Sequence, residues 1–226
     1  MDLSPPVVDG VVDAAYANPR PDVAALVPPG ARRLLDLGCS TGHLGEALAR
    51  PDREVIGVEV DPGLAALART RLDLVVEADL EGLAAGTLPD ALVEPFDCVI
   101  AADVLEHLRD PWSVVRWAEG RLAPGGSLVV SVPNIRHLRT FWLLLVRRRW
   151  GYDSVGTFDR THLRWFAWAN LPELLEGTSL EIVEIRRTHQ LVPRWDAKVN
   201  RVAPLLRDLG TLQFVFRAEP TGRTLP

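Results

Sequence analysis

The amino-acid sequence predicts an α/β fold, a doubly wound sheet with helices on both faces. Three observations support this: short apolar runs rich in β-branched residues, amphipathic segments that alternate with them, and glycine or proline at many of the junctions. Strands that are apolar on both faces are typical of a sheet buried between two helical layers. Alternation of strand and helix indicates right-handed βαβ units, which build a mostly parallel sheet.

The predicted elements follow one another in a regular order. The first two predicted strands, RRLLDLG and EVIGVEV, are each followed by a predicted helix, GHLGEALAR and PGLAALARTRL. LVVEADL is the third strand and FDCVIAA the fourth, which is followed by the helical segments VLEHL and PWSVVRWAEGRL. SLVVSVPN is the fifth strand. Asp110 and Pro111 supply an N-cap acid and a first-turn proline for one helix. After Asn134 the alternation stops, and two further candidate strands cover 180–187 and 212–218.

Composition and charge exclude several classes of protein. The chain has 226 residues, 47% of them hydrophobic, and a formal net charge of -5, so the whole molecule has no nucleic-acid footprint. The first residues lack the pattern of a signal peptide, and no apolar run reaches the ~18 residues needed to span a bilayer. Cys39 and Cys98 form no disulfide framework, and no Cys/His group has zinc spacing. We therefore expect a cytoplasmic protein without a metal site.

A turn of small residues, Gly38 to Gly42, joins the first predicted strand of the sheet to a helix. Ligands bind beyond the carboxyl ends of strands in open α/β sheets, where helix N-termini present unpaired N–H groups. Small residues let the backbone approach a ligand closely. The turn therefore predicts the floor of a site for a nucleotide-sized molecule, with tight packing of helix on strand as the alternative explanation.

Three acidic residues lie in or just after three successive strands. Glu59 lies at the end of the second predicted strand and Asp79 at the end of the third, while Asp36 lies inside the first, where a lone charge is costly unless it is satisfied. A carboxylate at the position of Glu59 can accept both hydroxyls of a ribose. The three acids suit a ligand with a ribose, an adenine amine and positive charge, and they suit a pyrophosphate poorly.

Five ordered segments, LLDLGCSTG, GVEVD, ADL, FDCVIAADVLEHL and LAPGGSLVVSVPN, resemble motifs of class I S-adenosylmethionine-dependent methyltransferases. The resemblance covers about residues 32–134, and Ser40 stands where the family has its middle glycine. It implies a Rossmann-like sheet of seven strands with the last strand antiparallel. It also implies a methyltransferase domain over 31–226 with S-adenosylmethionine as cofactor and a substrate-side insertion at about 135–178. The turn-forming stretches NPRPD at 18–22 and VPPG at 27–30 predict, from the residues alone, an N-terminal arm over 1–30 with a short helix around 22–26.

The resemblance also assigns roles by position. The cofactor-binding residues that it implies are Asp36 with Gly38, Cys39, Ser40 and Gly42 around the methionine part, Glu59 and Val60 at the ribose, Asp79 and Leu80 at the adenine, and Ala102 and Asp103 beside the methyl-transfer site. Tyr16 and Arg20 of the arm are expected to fold over the cofactor. Methyl transfer itself requires no metal.

Three histidines are candidates for the base that removes a proton from an acceptor hydroxyl. His162 is the leading candidate, because it lies with Asp159 in the polar cluster FDRTHLRWF, although this segment could equally be a loop fixed by an Asp–Arg pair. His107, in LEHL, could instead anchor its helix, and His137 directly follows VPN. We expect His43 to be structural and His189 to lie at the surface.

A basic and apolar stretch, NIRHLRTFWLLLVRRRWGYD, follows the fifth strand. No Asp or Glu occurs between Gly120 and Tyr152, and Phe141 to Val146 is continuously apolar. If it is helical, residues 135–150 could lie on a membrane surface with arginines toward anionic headgroups. A lid over the active site, a homodimer face and an ordinary helix over the sheet edge are the alternatives.

The predicted activity is methyl transfer from S-adenosylmethionine to a small-molecule acceptor, most simply a hydroxyl of a sugar or sugar-bearing metabolite, with lipid-linked precursors or quinols second. The segment after VSVPN is also similar to MetW proteins and to ubiquinone-pathway O-methyltransferases. The likeness to MetW implies a non-enzymatic alternative, in which the fold supports a homoserine acyltransferase partner.

Overall fold

The computed structural model describes residues 18–188 and 208–221, and the backbone of a small hairpin made by Val7–Val8 and Val11–Val12. At its centre is a seven-stranded sheet. Its strands are β1 (Arg33–Leu37), β2 (Glu54–Glu59), β3 (Leu74–Glu77), β4 (Phe96–Ala102), β5 (Leu122–Pro133), β6 (Leu180–Thr188) and β7 (Gln213–Pro220). Their order is β3-β2-β1-β4-β5-β7-β6, and β7 runs antiparallel to both neighbours while β1 to β5 are parallel. The predicted seven-stranded sheet with an antiparallel last strand is confirmed.

Short helices connect the strands. They are α1 (Pro21–Ala24), α2 (His43–Leu48), α3 (Pro62–Ala68), α4 (Leu80–Ala85), α5 (Pro111–Glu119) and α6 (Leu138–Phe141). A π-helical turn, Trp142–Val146, continues α6, and single 3₁₀ turns cover Asp90–Leu92, Leu105–His107, Trp168–Asn170 and Pro172–Leu175. Asp110 caps α5 as predicted, because its Oδ1 accepts from the N–H of Ser113 at 3.1 Å. Among the described residues, no helix is both long and apolar enough to cross a bilayer.

The sheet separates two hydrophobic clusters. Successive side chains of a strand point to opposite faces, so Leu35 and Leu37 of β1 join the cluster that contains α4 and α5, and Leu34 joins the one that contains α1, α2 and α3. Helices therefore cover both faces, as the sequence predicted. The carboxyl ends of β1 to β5 meet at one edge of the sheet, which places the loops that follow them side by side.

Three local predictions differ from the structure. VLEHL forms one 3₁₀ turn rather than a helix, and β3 ends at Glu77 because Asp79 caps the helix that follows. The short helix expected at 22–26 is observed at Pro21–Ala24. Residues 18–30 do not lie apart from the fold, since Val23, Leu26 and Val27 are buried in the same cluster as Leu34. The boundary between arm and domain near residue 30 stays a prediction.

Candidate functional site

The turn after β1 has the left-handed backbone that its small residues allow. Gly38, Ser40 and Gly42 have φ angles of 69°, 51° and 84°. A Cβ on Gly38 would lie 2.6 Å from Cγ2 of Val104, and one on Gly42 would lie 3.1 Å from Cα of Ala68. Packing against neighbouring elements thus requires glycine at these two positions whether or not a ligand binds. Ser40 occupies a left-handed conformation that favours glycine, and its Oγ is buried without a hydrogen-bond partner.

Glu59, at the end of β2, holds this turn in place. Its Oε2 accepts a hydrogen bond from the backbone N–H of Ser40 at 2.8 Å, and its Oε1 accepts from the N–H groups of Val60 and Asp61, each at 2.9 Å. A carboxylate offers about four acceptor positions. Three are used by the backbone, so one position on Oε2 remains for a ligand hydroxyl in this conformation.

Asp36 is a buried acid without a partner. Asp36 is 2% exposed. In the described parts of the chain, no side chain or backbone N–H forms a hydrogen bond or an ion pair with its carboxylate. Burial, and then the charge of Glu59, raise the pKa of Asp36 to about 7. Burial and the same two carboxylates raise the pKa of the Cys39 thiol. The carboxyl end of β1 is therefore a region of negative potential. A cation bound there would stabilise the ionised carboxylates of Asp36 and Glu59.

The residues expected at the adenine and ribose lie along the same edge. Asp79 is exposed and caps α4, since its two carboxylate oxygens accept from the N–H groups of Glu81 and Gly82. Leu80 is buried, and as the first residue of a helix its N–H has no acceptor within the helix. Val60 beside Glu59 is an exposed apolar side chain. These positions fit the edge of an adenosine site, although Asp79 already has a structural role.

Arg20 and Asp103 are joined at the end of β4. The Arg20 guanidinium forms an ion pair with Asp103 and donates to the Ser131 hydroxyl at 2.8 Å, and Nε2 of Gln213 donates to Asp103 at 2.9 Å. Arg20 is 8% exposed, and Ala102 beside the pair is half-buried. The N-terminal segment is thus attached to the edge where methyl transfer was expected. Tyr16 lies outside the described residues.

The structure brings together the predicted catalytic residues His107, His162 and Asp159. The rings of His107 and His162 lie edge to face with centroids 4.7 Å apart. The Thr161 hydroxyl is 2.9 Å from Nδ1 of His107 and donates to Oδ1 of Asp159 at 2.6 Å. The backbone carbonyl of Glu106 accepts from two N–H groups directly after His162, which attaches this loop to the segment following β4.

Burial dominates the electrostatics of this cluster. Glu106 is 2% exposed, and burial raises its pKa to about 8. Burial, together with the neighbouring His162, lowers the pKa of His107 to about 4, and burial also lowers the pKa of His162. Both imidazoles are therefore neutral at physiological pH.

A cavity of about 220 Å³ opens beside His162. Its lining residues are Trp150, Tyr152, Asp159, Arg160, His162 and Trp165. The rings of Trp150 and Trp165 lie edge to face, with centroids 5.9 Å apart. Three of the six lining residues, Trp150, Tyr152 and Trp165, thus supply aromatic walls, and Asp159, Arg160 and the His162 imidazole form a polar side.

Two further histidines, His137 and His43, have structural contacts outside this cluster. His137 caps α6, since its Nδ1 accepts from the N–H of Arg139 at 3.3 Å, and burial lowers its pKa. Nδ1 of His43 lies 2.7 Å from the hydroxyl of Thr41 in the turn, in line with the structural role expected for it. His189 lies outside the described residues.

Several site residues were not predicted from the sequence. Glu106 stands next to His107 in the motif that was singled out, so the pair itself was the available signal. Ser131 and Gln213 reach Arg20 and Asp103 from strands far away in sequence, and no local pattern marks them. The aromatic lining falls in the stretch after Asn134, where strand and helix periodicity gave no guidance.

A family model described as a methyltransferase domain matches residues 13–185. The chain belongs to the class I S-adenosylmethionine-dependent methyltransferases. The ordered motifs, the seven-stranded sheet and the acid-lined turn after β1 are all consistent with that family, whose cofactor is S-adenosylmethionine.

Similar proteins include ubiquinone biosynthesis O-methyltransferases. The one from Xylella fastidiosa is 36% identical over 125 residues, which cover 55% of this chain and 50% of the relative. That from Azorhizobium caulinodans is 36% identical over 126 residues, covering 55% and 49%. This methyltransferase therefore spans about half the length of these curated relatives.

Among solved structures, one from Thermotoga maritima is described as an S-adenosylmethionine-dependent methyltransferase and possible histamine N-methyltransferase. It is 18% identical, with a TM-score of 0.62 over 92% of this chain and 90% of that one. A likeness at this identity supports the fold alone.

Proposed function

We propose that this methyltransferase transfers a methyl group from S-adenosylmethionine to the hydroxyl of a small aromatic acceptor. The observation that carries the proposal is the aromatic cavity beside His162, since Trp and Tyr walls suit a flat ring. The printed names of the relatives, O-methyltransferases of ubiquinone biosynthesis, support a quinol-like acceptor. A sugar hydroxyl, our first expectation from the sequence, has no comparable support.

The residues present at the turn after β1 fit the cofactor. Among the described residues, the buried carboxylate of Asp36 has no hydrogen-bond or ion-pair partner and the buried hydroxyl of Ser40 has no hydrogen-bond partner, so both have unused capacity for a bound ligand. In the proposed site Asp36 offsets the positive charge of the methionine part and Glu59 accepts from the ribose. Gly38, Cys39 and Gly42 form the floor, and Val60, Asp79 and Leu80 border the adenine.

S-adenosylmethionine supplies an activated methyl group, so the protein has to position the acceptor and assist the loss of its proton. Ala102, Asp103 and Arg20, joined at the end of β4, are the residues proposed to border the methyl-transfer site. Nε2 of His162 is the proposed proton acceptor. Nδ1–H of the same ring donates to the carbonyl of Thr157 at 3.3 Å, which leaves the lone pair of Nε2 free to take a proton. His107 and Asp159 hold that loop in position, and His137 is a more distant candidate.

Trp165→Ala is expected to raise KM for an aromatic hydroxyl acceptor by about 10-fold, since a stacking wall of the cavity is lost. The Kd for S-adenosylmethionine should stay unchanged, and this serves as the internal control. Steady-state kinetics with a catechol panel and a sugar panel measure the effect. A wild-type preference for sugars, or an unchanged KM in the variant, would refute the aromatic assignment.

The non-enzymatic alternative is a MetW-like protein that supports a homoserine acyltransferase. The position of His162 at a cavity wall, next to the buried Glu106 and His107, favours catalysis over this alternative, because a supporting protein has no need for a neutral imidazole at such a wall. Turnover of any acceptor in the assay above distinguishes the two.

We further propose that residues 135–150 contact an anionic membrane surface, where a lipid-like quinol would be available. Leu145 and Val146 are 74% and 65% exposed, and they are followed at once by three arginines, Arg147, Arg148 and Arg149. Exposed apolar side chains next to arginines suit the headgroup region. Flotation with anionic liposomes should recover the wild-type chain, and Leu145→Ser should reduce recovery. Failure to float would favour the lid or the homodimer face.

A further inference from the structure

Glu106, His107 and His162 present a set of ligand atoms at one point. Each residue offers one such atom, and the three atoms lie within 4.8 Å of one another. The separation between Nε2 of His162 and Oε1 of Glu106 is 3.9 Å. Bonds of about 2.0–2.2 Å to one metal ion place neighbouring ligand atoms about 3–4 Å apart. Side-chain adjustments of about 1 Å or less would therefore close this group around an ion.

Outer hydrogen bonds set both histidine tautomers for metal binding. Nδ1–H of His162 donates to the Thr157 carbonyl, which leaves the Nε2 lone pair free. The Thr161 hydroxyl gives its single proton to Asp159, so it must accept from Nδ1–H of His107, and Nε2 of that ring is free as well. Metal-binding histidines in proteins are oriented by this kind of outer partner.

Glu106 adds an independent observation. Its Oε2 is buried and has no hydrogen-bond partner in the part of the chain that the structure describes, and its side chain is 2% exposed. In the described ranges of the chain, the basic atom that lies within 4.0 Å of its carboxyl group is Nε2 of His162, at 3.9 Å, and because that imidazole is neutral it does not supply a balancing charge. A buried carboxyl group in this situation is costly unless a cation or a donor satisfies it.

We propose that Glu106, His107 and His162 bind a divalent first-row transition-metal ion. Two imidazoles and one carboxylate favour Zn²⁺, Mn²⁺, Fe²⁺ or Co²⁺ over Mg²⁺ and Ca²⁺, which prefer oxygen ligands throughout. Three protein ligands leave the ion an open position, and His162 places it at the wall of the aromatic cavity. The sequence showed no sign of this site, because its ligands do not have the Cys/His spacing of a zinc motif. Two of them are adjacent and the third lies 55 residues further on.

The site would change how the acceptor is activated. A hydroxyl oxygen bound at the open position has a lowered pKa and releases its proton to solvent. Nε2 of His162 is then a ligand and no longer a base, so the two roles exclude each other. This role toward the acceptor rests on the proposed function, whereas metal binding itself does not.

Titration of the EDTA-treated full-length chain with Co²⁺ tests the site. We expect saturation at one ion per chain, with visible absorption bands of Co²⁺ bound by nitrogen and oxygen, and displacement by Zn²⁺. Glu106→Gln and His162→Ala should weaken Co²⁺ binding by at least about 100-fold, and Thr161→Val, which removes an outer partner, by about 10-fold. His43→Ala, a histidine outside the cluster, should bind Co²⁺ as the wild type does.

Thermal unfolding distinguishes a variant that is folded but does not bind metal from one that has failed to fold. Metal should raise the Tm of the wild-type chain, because it binds the folded state, and should not raise that of a folded Glu106→Gln variant. No saturable Co²⁺ binding, equal binding by Glu106→Gln, or an equal loss in His43→Ala would overturn the proposal. If metal binding fails while S-adenosylmethionine binding and turnover persist, only this inference falls. If metal binds and turnover is absent, only the proposed function falls.

Discussion

Asp36→Asn is expected to raise the free energy of unfolding at pH 8 and to weaken binding of S-adenosylmethionine. The pKa of Asp36 is raised from 3.8 to about 7 by burial and by Glu59. Because the folded-state pKa lies above the unfolded value, the group's contribution to stability is complete below pH about 4 and is lost as the pH rises through about 7. At about 1.4 kcal/mol per pKa unit, the ionised carboxylate costs up to ~4 kcal/mol at pH 8, and asparagine avoids that cost.

Urea unfolding at pH 5 and pH 8 measures the stability effect, and calorimetric titration at pH 8 measures the affinity. The variant should lose the part of the decrease in stability between the two pH values that Asp36 contributes, while the part contributed by Glu106, whose pKa is raised to about 8, remains. It should also bind S-adenosylmethionine about 10-fold or more weakly, since a charge-assisted contact is lost. Asp52→Asn, at an exposed acid, serves as the control and should change neither quantity. An unchanged pH dependence together with unchanged affinity would remove Asp36 from the site.

Glu59→Ala is expected to weaken S-adenosylmethionine binding by about 100-fold or more and to destabilise the fold by about 1–3 kcal/mol. Three backbone N–H groups lose their acceptor, and the ribose loses a charged one. Calorimetry and urea unfolding measure the two effects. Glu59→Gln, which keeps one acceptor oxygen, should be intermediate in both.

Glu77→Ala is the matched control, because Glu77 lies opposite Glu59 at the end of the neighbouring strand. Its ion pair with Arg69 is exposed and contributes little to stability. Both quantities should therefore stay near their wild-type values. If Glu59→Ala binds the cofactor as tightly as the wild type, the ribose assignment is wrong.

Local sequence patterns were sufficient to predict most of the fold. The strands are apolar on both faces, and Asp110 with Pro111 marks a helix start that the structure shows. The errors occurred where a single contact decides the local conformation. Asp79 caps α4 and so ends the apolar run of β3 earlier than periodicity indicates, and VLEHL is too short for helical periodicity to be reliable.

The positions of the acids and glycines could also be predicted, because the carboxyl ends of parallel strands meet at one edge. The contacts that each acid makes could not be predicted from the sequence. Glu59 uses its carboxylate on three backbone amides, and Arg20 reaches Asp103 across a large sequence separation. The meeting of Glu106 with His162 depends on how the irregular region folds back, and no periodicity in the sequence encodes that.

The central claim is that the acid-lined turn after β1 binds S-adenosylmethionine. Isothermal titration of the wild-type chain with S-adenosylmethionine, in the presence of EDTA, tests it most directly. The structure leads us to expect one saturable site per chain in the micromolar-to-millimolar range, accompanied by a rise in Tm. A titration without saturable heat, and with Tm unchanged across that range, would contradict the account.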